Sequence, residues 1–297
     1  MSIRPAIIIP PTYYLDTSAV RHLVEDPARA MLRQRVERLV SERRLLLCTS
    51  YAMVEEVLTA STDERQRRDA LLFARVVTPN RLQRSVTGLI RQWAEGPRVL
   101  RCKPDFMNWA NLTTSLNRLI VNPPLHLKEG RDSLRARGTK FRNGMIAWLE
   151  ADGYLEEARK NTRRWTKPQQ FFPEAQQLAD TLFASKERYC LLWKSFMEDP
   201  KDPVSVEQAW ASRDNPWVQL YTRLALLGVA RRVLTQTKEK NLQNDYYDSI
   251  HVVCASVADG IVTDDRKLAQ AIEHLRDRGI PKVWSLDSWS GEIWLSC

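Results

Sequence analysis

Apolar residues fall into short blocks near both ends of the chain and into helical periods through its middle. Thr12 to Leu15 (TYYL) is a β-branched and aromatic run, the pattern of a buried strand, and Asp16-Thr17-Ser18 offers a cap for a helix from Ala19. Ala28 to Arg44 predicts a basic amphipathic helix with Met31, Val36, Leu39 and Val40 as its buried stripe. Leu45 to Cys48 reads as a second strand, and from Ser50 a helix restarts with Met53, Val54, Val57 and Leu58 at helical spacing. Asp63 to Phe73 continues as helix, and Arg75 to Thr78 (RVVT), closed by Pro79-Asn80, is expected as a third strand.

From Trp93 to Thr235 the periods are helical and are separated by proline breaks at Pro104, Pro123-Pro124, Pro168 and Pro200. This stretch is expected to be a helical insertion with its own core, its tryptophans serving mostly as packing. Leu220 to Leu234 brings the chain back. Asp248 to Ala258 then reads as a helix, Ile261 to Thr263 as a strand, Lys267 to Asp277 as a helix and Val283 to Leu286 as a last strand. Strand and helix alternate at both ends, so the fold class is α/β: residues 1–92 and 236–297 form one domain, interrupted by a mostly α-helical insertion at 93–235.

Composition narrows the function classes. A chain of 297 residues with 43% hydrophobic and 27% charged side chains has the make-up of a soluble globular protein. The run Ala6 to Ile9 is too short to span a bilayer, ends in Pro10-Pro11 and precedes no small-residue cleavage pattern, which leads to the expectation of a cytoplasmic protein without a membrane partner. Five scattered cysteines without a CxxC pair argue against a zinc module and a disulfide framework. The four histidines (His22, His126, His251, His274) are dispersed and read as ordinary surface or core residues.

Charge then gives direction. The net +9 is uneven: residues 1–250 carry 40 basic and 29 acidic side chains, whereas 251–297 carry 5 and 7. A basic body around a local acidic spot suits a protein that attracts a polyanion and holds a cation against it. Asp16 follows one strand and Asp264-Asp265 another, Asp248 opens a helix leading into that second strand, and Glu55-Glu56 lie on an early helix. In open parallel sheets such positions converge outside the carboxyl ends of the strands. Carboxylates so gathered repel one another without a cation, and a set without clustered histidine favours hard divalent ions, Mg²⁺ or Mn²⁺, over zinc. Such ions turn water into a nucleophile for phosphodiester hydrolysis.

Four ordered segments carry a resemblance: Tyr14 to Ala19 (YLDTSA), Ser50 to Leu58 (SYAMVEEVL), Asp248 to Ala255 (DSIHVVCA) and Val262 to Leu268 (VTDDRKL). Together they resemble the signatures of the PIN-domain nucleases, over some 130 to 150 residues at the two ends. The resemblance implies a Rossmann-like three-layer α/β/α fold with a parallel central sheet, and acidic residues that bind Mg²⁺ or Mn²⁺ to cut RNA, leaving a 5′-phosphate and a 3′-hydroxyl. Residue by residue it matches Asp16, Asp248, Asp265 and Thr263. It favours Glu56 over Glu55 and leaves Asp264 as a neighbour that shares a metal-bound water; His251 reads first as a packed helix residue and second as a group behind a metal ligand. A DNA substrate for the same site, or a PIN-like binding module without hydrolysis, stays open, as do a toxin or defence role, a homodimer and an inhibitor protein.

One further segment bears on the substrate. Lys128, Arg131, Arg135, Arg137, Lys140 and Arg142 are concentrated between Lys128 and Arg142, bracketed by Gly130 and Gly138. Phosphate contacts from such a patch supply affinity for RNA without reading its sequence, and a solvated helical face is the alternative.

Overall fold

The computed structural model of the chain describes residues 9–60, 63–83, 86–96, 98–107, 168–190, 205–235 and 242–295, together with residues 143, 147 and 150. Six strands among the described residues form one sheet: β1 (Thr12–Leu15), β2 (Leu46–Ser50), β3 (Leu82–Gln83), β4 (Phe106–Met107), β5 (Gly260–Val262) and β6 (Val283–Trp284). Their spatial order is β4-β3-β2-β1-β5-β6. Every pairing is parallel except β3 with β4. The sheet is therefore mixed where a parallel one was expected. A strand at an edge has one neighbour only, and its direction is free of the ladder inside.

β1 is buried along its whole length because it pairs on both sides, with β2 at Tyr14↔Cys48 and with β5 at Leu15↔Val262. Successive side chains alternate between two apolar layers. Tyr13, Leu15, Leu47, Leu82 and Val262 pack with α1 (Thr17–Glu25), α2 (Ala30–Ser41), α3 (Tyr51–Ala60), α4 (Glu64–Val77) and the chain's last described helix. Tyr14, Cys48, Ile261 and Val283 face the other layer: α5 (Val86–Glu95), α6 (Phe172–Phe183), α7 (Val206–Ser212), α8 (Pro216–Thr235), α9 (Leu242–Cys254) and α10 (Arg266–Leu275). The last helix is α11 (Leu286–Leu295). The result is a three-layer α/β arrangement. No described helix is long and apolar enough to cross a membrane.

Several local expectations change. Arg75 to Thr78 is not a strand: α4 runs on to Val77, whose buried side chain extends the stripe of Ala70, Phe73 and Ala74. Helical spacing of buried positions there overrides the β-preference of two valines. The third strand is instead Leu82–Gln83, after a turn in which Asn80 takes the left-handed backbone (φ 56) that asparagine tolerates. On α2 the buried stripe is Leu32, Val36 and Leu39, at helical spacing, and Met31 is 75% exposed. Leu286 begins α11 rather than ending β6. Asp248 does not open its helix, since α9 already begins at Leu242.

The helices of the middle stretch do not keep a core to themselves among the described residues. Phe172, Leu178 and Leu182 of α6 and Trp217, Leu220 and Leu226 of α8 belong to one cluster with Tyr14, Cys48 and Ile261 of the sheet.

Candidate functional site

Going outward from β1, the chain takes β2, β3 and β4 to one side, and β5 and β6 to the other. The crevice outside the carboxyl ends of β1 and β5 is thus the switch point of the sheet, where open α/β folds bind ligands. Gly260 sets the spacing of the two strands: a Cβ there would lie 2.9 Å from Tyr13 ring carbons, so only glycine lets β5 pair this closely. One residue past the strands, Asp16 and Thr263 meet.

Asp16 leaves β1 with extended backbone (φ −79, ψ 176) and caps α1, its Oδ1 accepting the Ala19 N–H at 2.8 Å. Thr263 Oγ1 donates to Asp16 Oδ2 at 2.5 Å, and Ser18 Oγ lies 2.9 and 3.0 Å from the two carboxylate oxygens. The same Ser18 hydroxyl accepts the N–H groups of Asp264 (2.9 Å) and Asp265 (3.1 Å). Asp16 is 3% exposed. Burial pushes its carboxyl above the ordinary value of 3.8, against the pull of His251, Thr263, the Ala19 N–H and Ser18. The cost of taking the charge out of water exceeds what these partners return.

Asp265 stands beside it but is partly occupied. Its Oδ1 caps α10, accepting from Lys267 N (2.8 Å) and Leu268 N (3.0 Å), and its own N–H donates to Thr263 Oγ1 at 3.1 Å. Asp264 is turned away into a structural role. Its Oδ1 accepts the Leu286 N–H at 3.0 Å where α11 begins, and its Oδ2 meets His22 Nδ1 at 2.9 Å with Arg29 at 3.7 Å.

Glu56, on α3, bonds Thr17, the residue after Asp16. Its Oε2 lies 3.2 Å from His251 Nε2. Burial works to raise its pKa, but the hydrogen bond and charge of His251, a hydrogen bond from Thr17 and the charge of Arg21 outweigh it, and the carboxyl is held below 4.5. A depressed folded-state value contributes stability above the ordinary glutamate range and loses it as pH falls through the folded value. Glu56→Gln is therefore expected to destabilise the fold by about 1 kcal/mol at pH 7. The difference from wild type should vanish in acid, which thermal melts between pH 3 and 8 on the order of one unit apart would check. Asp248 lies on α9 one turn before His251, on the same helix face and half-buried.

Among the described residues, no three His, Cys, Asp or Glu side chains are gathered closely enough to hold a metal by themselves. The structure thus joins Asp16 to Thr263 directly and Glu56 to the neighbouring Thr17 and His251, without closing the four expected carboxylates into a cage. The donors at Asp16, Thr263 and Asp265 are nonetheless hard oxygens, and Asp16 is a buried carboxyl group. They suit an ion held through one or two carboxylates, with water or phosphate oxygens completing its shell, which is how Mg²⁺ is commonly bound. Cysteine chemistry is unsuited: burial pushes the Cys48 and Cys254 thiols up to about 12.

Ser18, which the sequence offers only as part of a helix cap, touches Asp16; His22, read as an ordinary residue, touches Asp264; and His251, read as packing before a role behind a ligand, touches Glu56. Ser18 follows Asp16 by two, and His251 follows Asp248 by one helical turn, signals that spacing alone carried. The basic segment with Lys128, Arg131, Arg135, Arg137, Lys140 and Arg142 lies outside the described residues. Comparison with protein-family models, curated proteins and solved structures gave no match to this chain.

Proposed function

We propose that this chain is a divalent-metal-dependent nuclease of the PIN-like kind, hydrolysing RNA phosphodiester bonds at the carboxyl edge of β1 and β5. One observation carries the reading: Asp16 and Thr263, 247 positions apart, are hydrogen-bonded at the switch point of the sheet, with Asp265 donating its N–H to the same threonine. The preference for RNA over DNA, and for 5′-phosphate and 3′-hydroxyl products, rests on the resemblance of the four segments.

In this reading Asp16, Glu56 and Asp265 hold Mg²⁺ or Mn²⁺, with Asp248 at the rim. The bound ion supplies charge neutralisation on the phosphate and an acidified water. The protein's own residues do the positioning. Thr263 and Ser18 fix the rotamer of Asp16 through its two oxygens. The end of β5 and the start of α1 are locked together by Ser18, which takes two consecutive N–H groups. Preorganisation of this sort keeps the charged group from having to reorient during reaction.

The direct test uses the purified full chain with end-labelled single-stranded RNA and a matched single-stranded DNA, with Mn²⁺, Mg²⁺ or a chelator. Cleavage of RNA that needs the ion and leaves 5′-phosphate ends is the expected result. Ion-independent cleavage, or binding of RNA without any cleavage, overturns the proposal. Faster cleavage of the DNA keeps the site and reassigns the substrate.

A further inference from the structure

His251 is 3% exposed, and a polar ring taken so far from water must have partners for both nitrogens. It has them on three other elements. Nδ1 lies 2.7 Å from the Tyr14 hydroxyl of β1, and Nε2 lies 3.2 Å from Glu56 Oε2 on α3 and 3.4 Å from Thr17 Oγ1 at the start of α1. The Tyr14 hydroxyl is also 2.7 Å from Ser50 Oγ at the end of β2, which in turn accepts the Met53 N–H at 3.3 Å. A carboxylate can only accept, so Nε2 carries a hydrogen toward Glu56, while Nδ1 faces a hydroxyl able to give or take one.

The ring is therefore fixed before Glu56 reaches it. Tyr14 is completely buried and locked between two sheet neighbours, and its ring lies 5.9 Å from that of His251 at a 52° tilt. Glu56, by contrast, projects from a helix on three rotatable bonds, and immobilising such a side chain costs rotamer freedom. The imidazole offsets that loss and leaves Glu56 beside Thr17, the residue next to Asp16. Both nitrogens are used inside the protein, so the ring is placed to hold a carboxylate, not to touch a substrate.

We infer that His251, backed by Tyr14 and Ser50, is the positioning residue that aims Glu56 at the ion held by Asp16. This rests on the metal-site reading proposed above and extends it to a residue outside the carboxylate set. Hydrogen-bonding partners of ligating carboxylates typically change metal affinity or activity by about 10–100-fold when removed.

The experiment compares His251→Phe, His251→Gln and His251→Asn in the full chain. Mn²⁺ titrations are followed by the electron paramagnetic resonance of the free ion, and kcat and KM for single-stranded RNA are measured with Mn²⁺ in excess. His251→Phe should weaken Mn²⁺ binding by about 10–100-fold and lower kcat while leaving KM for RNA unchanged. The glutamine amide nitrogen reaches the position of Nε2 and should recover most of the affinity. The asparagine amide reaches only that of Nδ1, keeps the Tyr14 contact and should behave like phenylalanine. If all three folded variants bind Mn²⁺ as the wild type does, or if glutamine and asparagine are equally impaired at equal thermal stability, His251 is packing and the inference is overturned. A wild-type protein that binds no Mn²⁺ removes the metal-site reading itself, together with this extension of it.

Discussion

Asp16→Asn is expected to lower metal-dependent RNA cleavage by about 100-fold or more and, at neutral pH, to raise the melting temperature. The loss follows from the placement of Asp16, the one site carboxylate that is both fully enclosed and bonded across the two strands of the switch point. Roughly 3 kcal/mol of charge stabilisation by a bound ion corresponds to about a hundredfold in rate. The gain in stability follows from the same burial. The folded-state pKa of Asp16 lies above its ordinary value, so between those two values the folded chain binds more protons than the unfolded chain. Stability therefore falls as pH rises through that window, and the penalty stays in full above it. Asparagine keeps the shape and removes the charge. Its advantage should grow as pH rises from the ordinary carboxylate value of 3.8 toward neutrality and disappear below 3.8. Each kcal/mol relieved moves the melting temperature of a domain this size by roughly 2–4 °C. Cleavage by the variant at the wild-type rate would remove Asp16 from the site, and a melting point lower than wild type at pH 7 with an unchanged pH trend would refute the buried-charge account.

The two halves of that result have one origin. A carboxylate positioned for a cation is poorly matched to its surroundings while the cation is absent, so a residue that serves the chemistry opposes the fold. Thr263, Ser18 and the Ala19 N–H lessen this mismatch without cancelling it. Ion binding should cancel it by displacing a proton, so apparent affinity for Mn²⁺ should increase with pH.

How far the sequence foretold this depends on which forces decide each element. TYYL, with apolar neighbours on both sides of the sheet, could only be an interior strand, and Asp16 followed from its end. The meeting of Asp16 with Thr263 was legible because a strand terminus fixes where its next residue goes. The boundary of α4 was not legible, because Arg75 to Val77 satisfies either period and only the tertiary core chooses between them. The contacts of Asp264 were legible only in part: the resemblance picks Asp265 and leaves Asp264 beside it, but the Leu286 N–H that Asp264 accepts at the start of α11 comes from 22 positions on. The partners of His251 were hidden because Tyr14 and Glu56 are 237 and 195 positions away.

The independence of the middle helices is where sequence and structure differ most, and Trp217→Ala measures the difference. Trp217 is 1% exposed, belongs to the cluster that contains Tyr14 and Ile261, and donates its indole N–H to the Leu100 carbonyl at 2.6 Å. Its neighbour Asn215 accepts the Trp217 backbone N–H at 2.9 Å and donates to the Val99 carbonyl at 3.0 Å, so the start of α8 is tied to the segment leading toward β4. Truncating a buried tryptophan costs about 3–5 kcal/mol, through lost transfer energy and the cavity left behind. That is a large share of the roughly 5–15 kcal/mol by which a domain is stable. In a shared core the loss is felt everywhere, so calorimetry and far-ultraviolet circular dichroism should show a single transition moved down by on the order of 10 °C. A helical unit with its own core would instead melt first, leaving a second transition at the wild-type temperature with the Asp16 site intact. The cluster joining α6 and α8 to β1, β2 and β5 predicts the single transition, and with it that metal binding falls away at the same temperature as the fold.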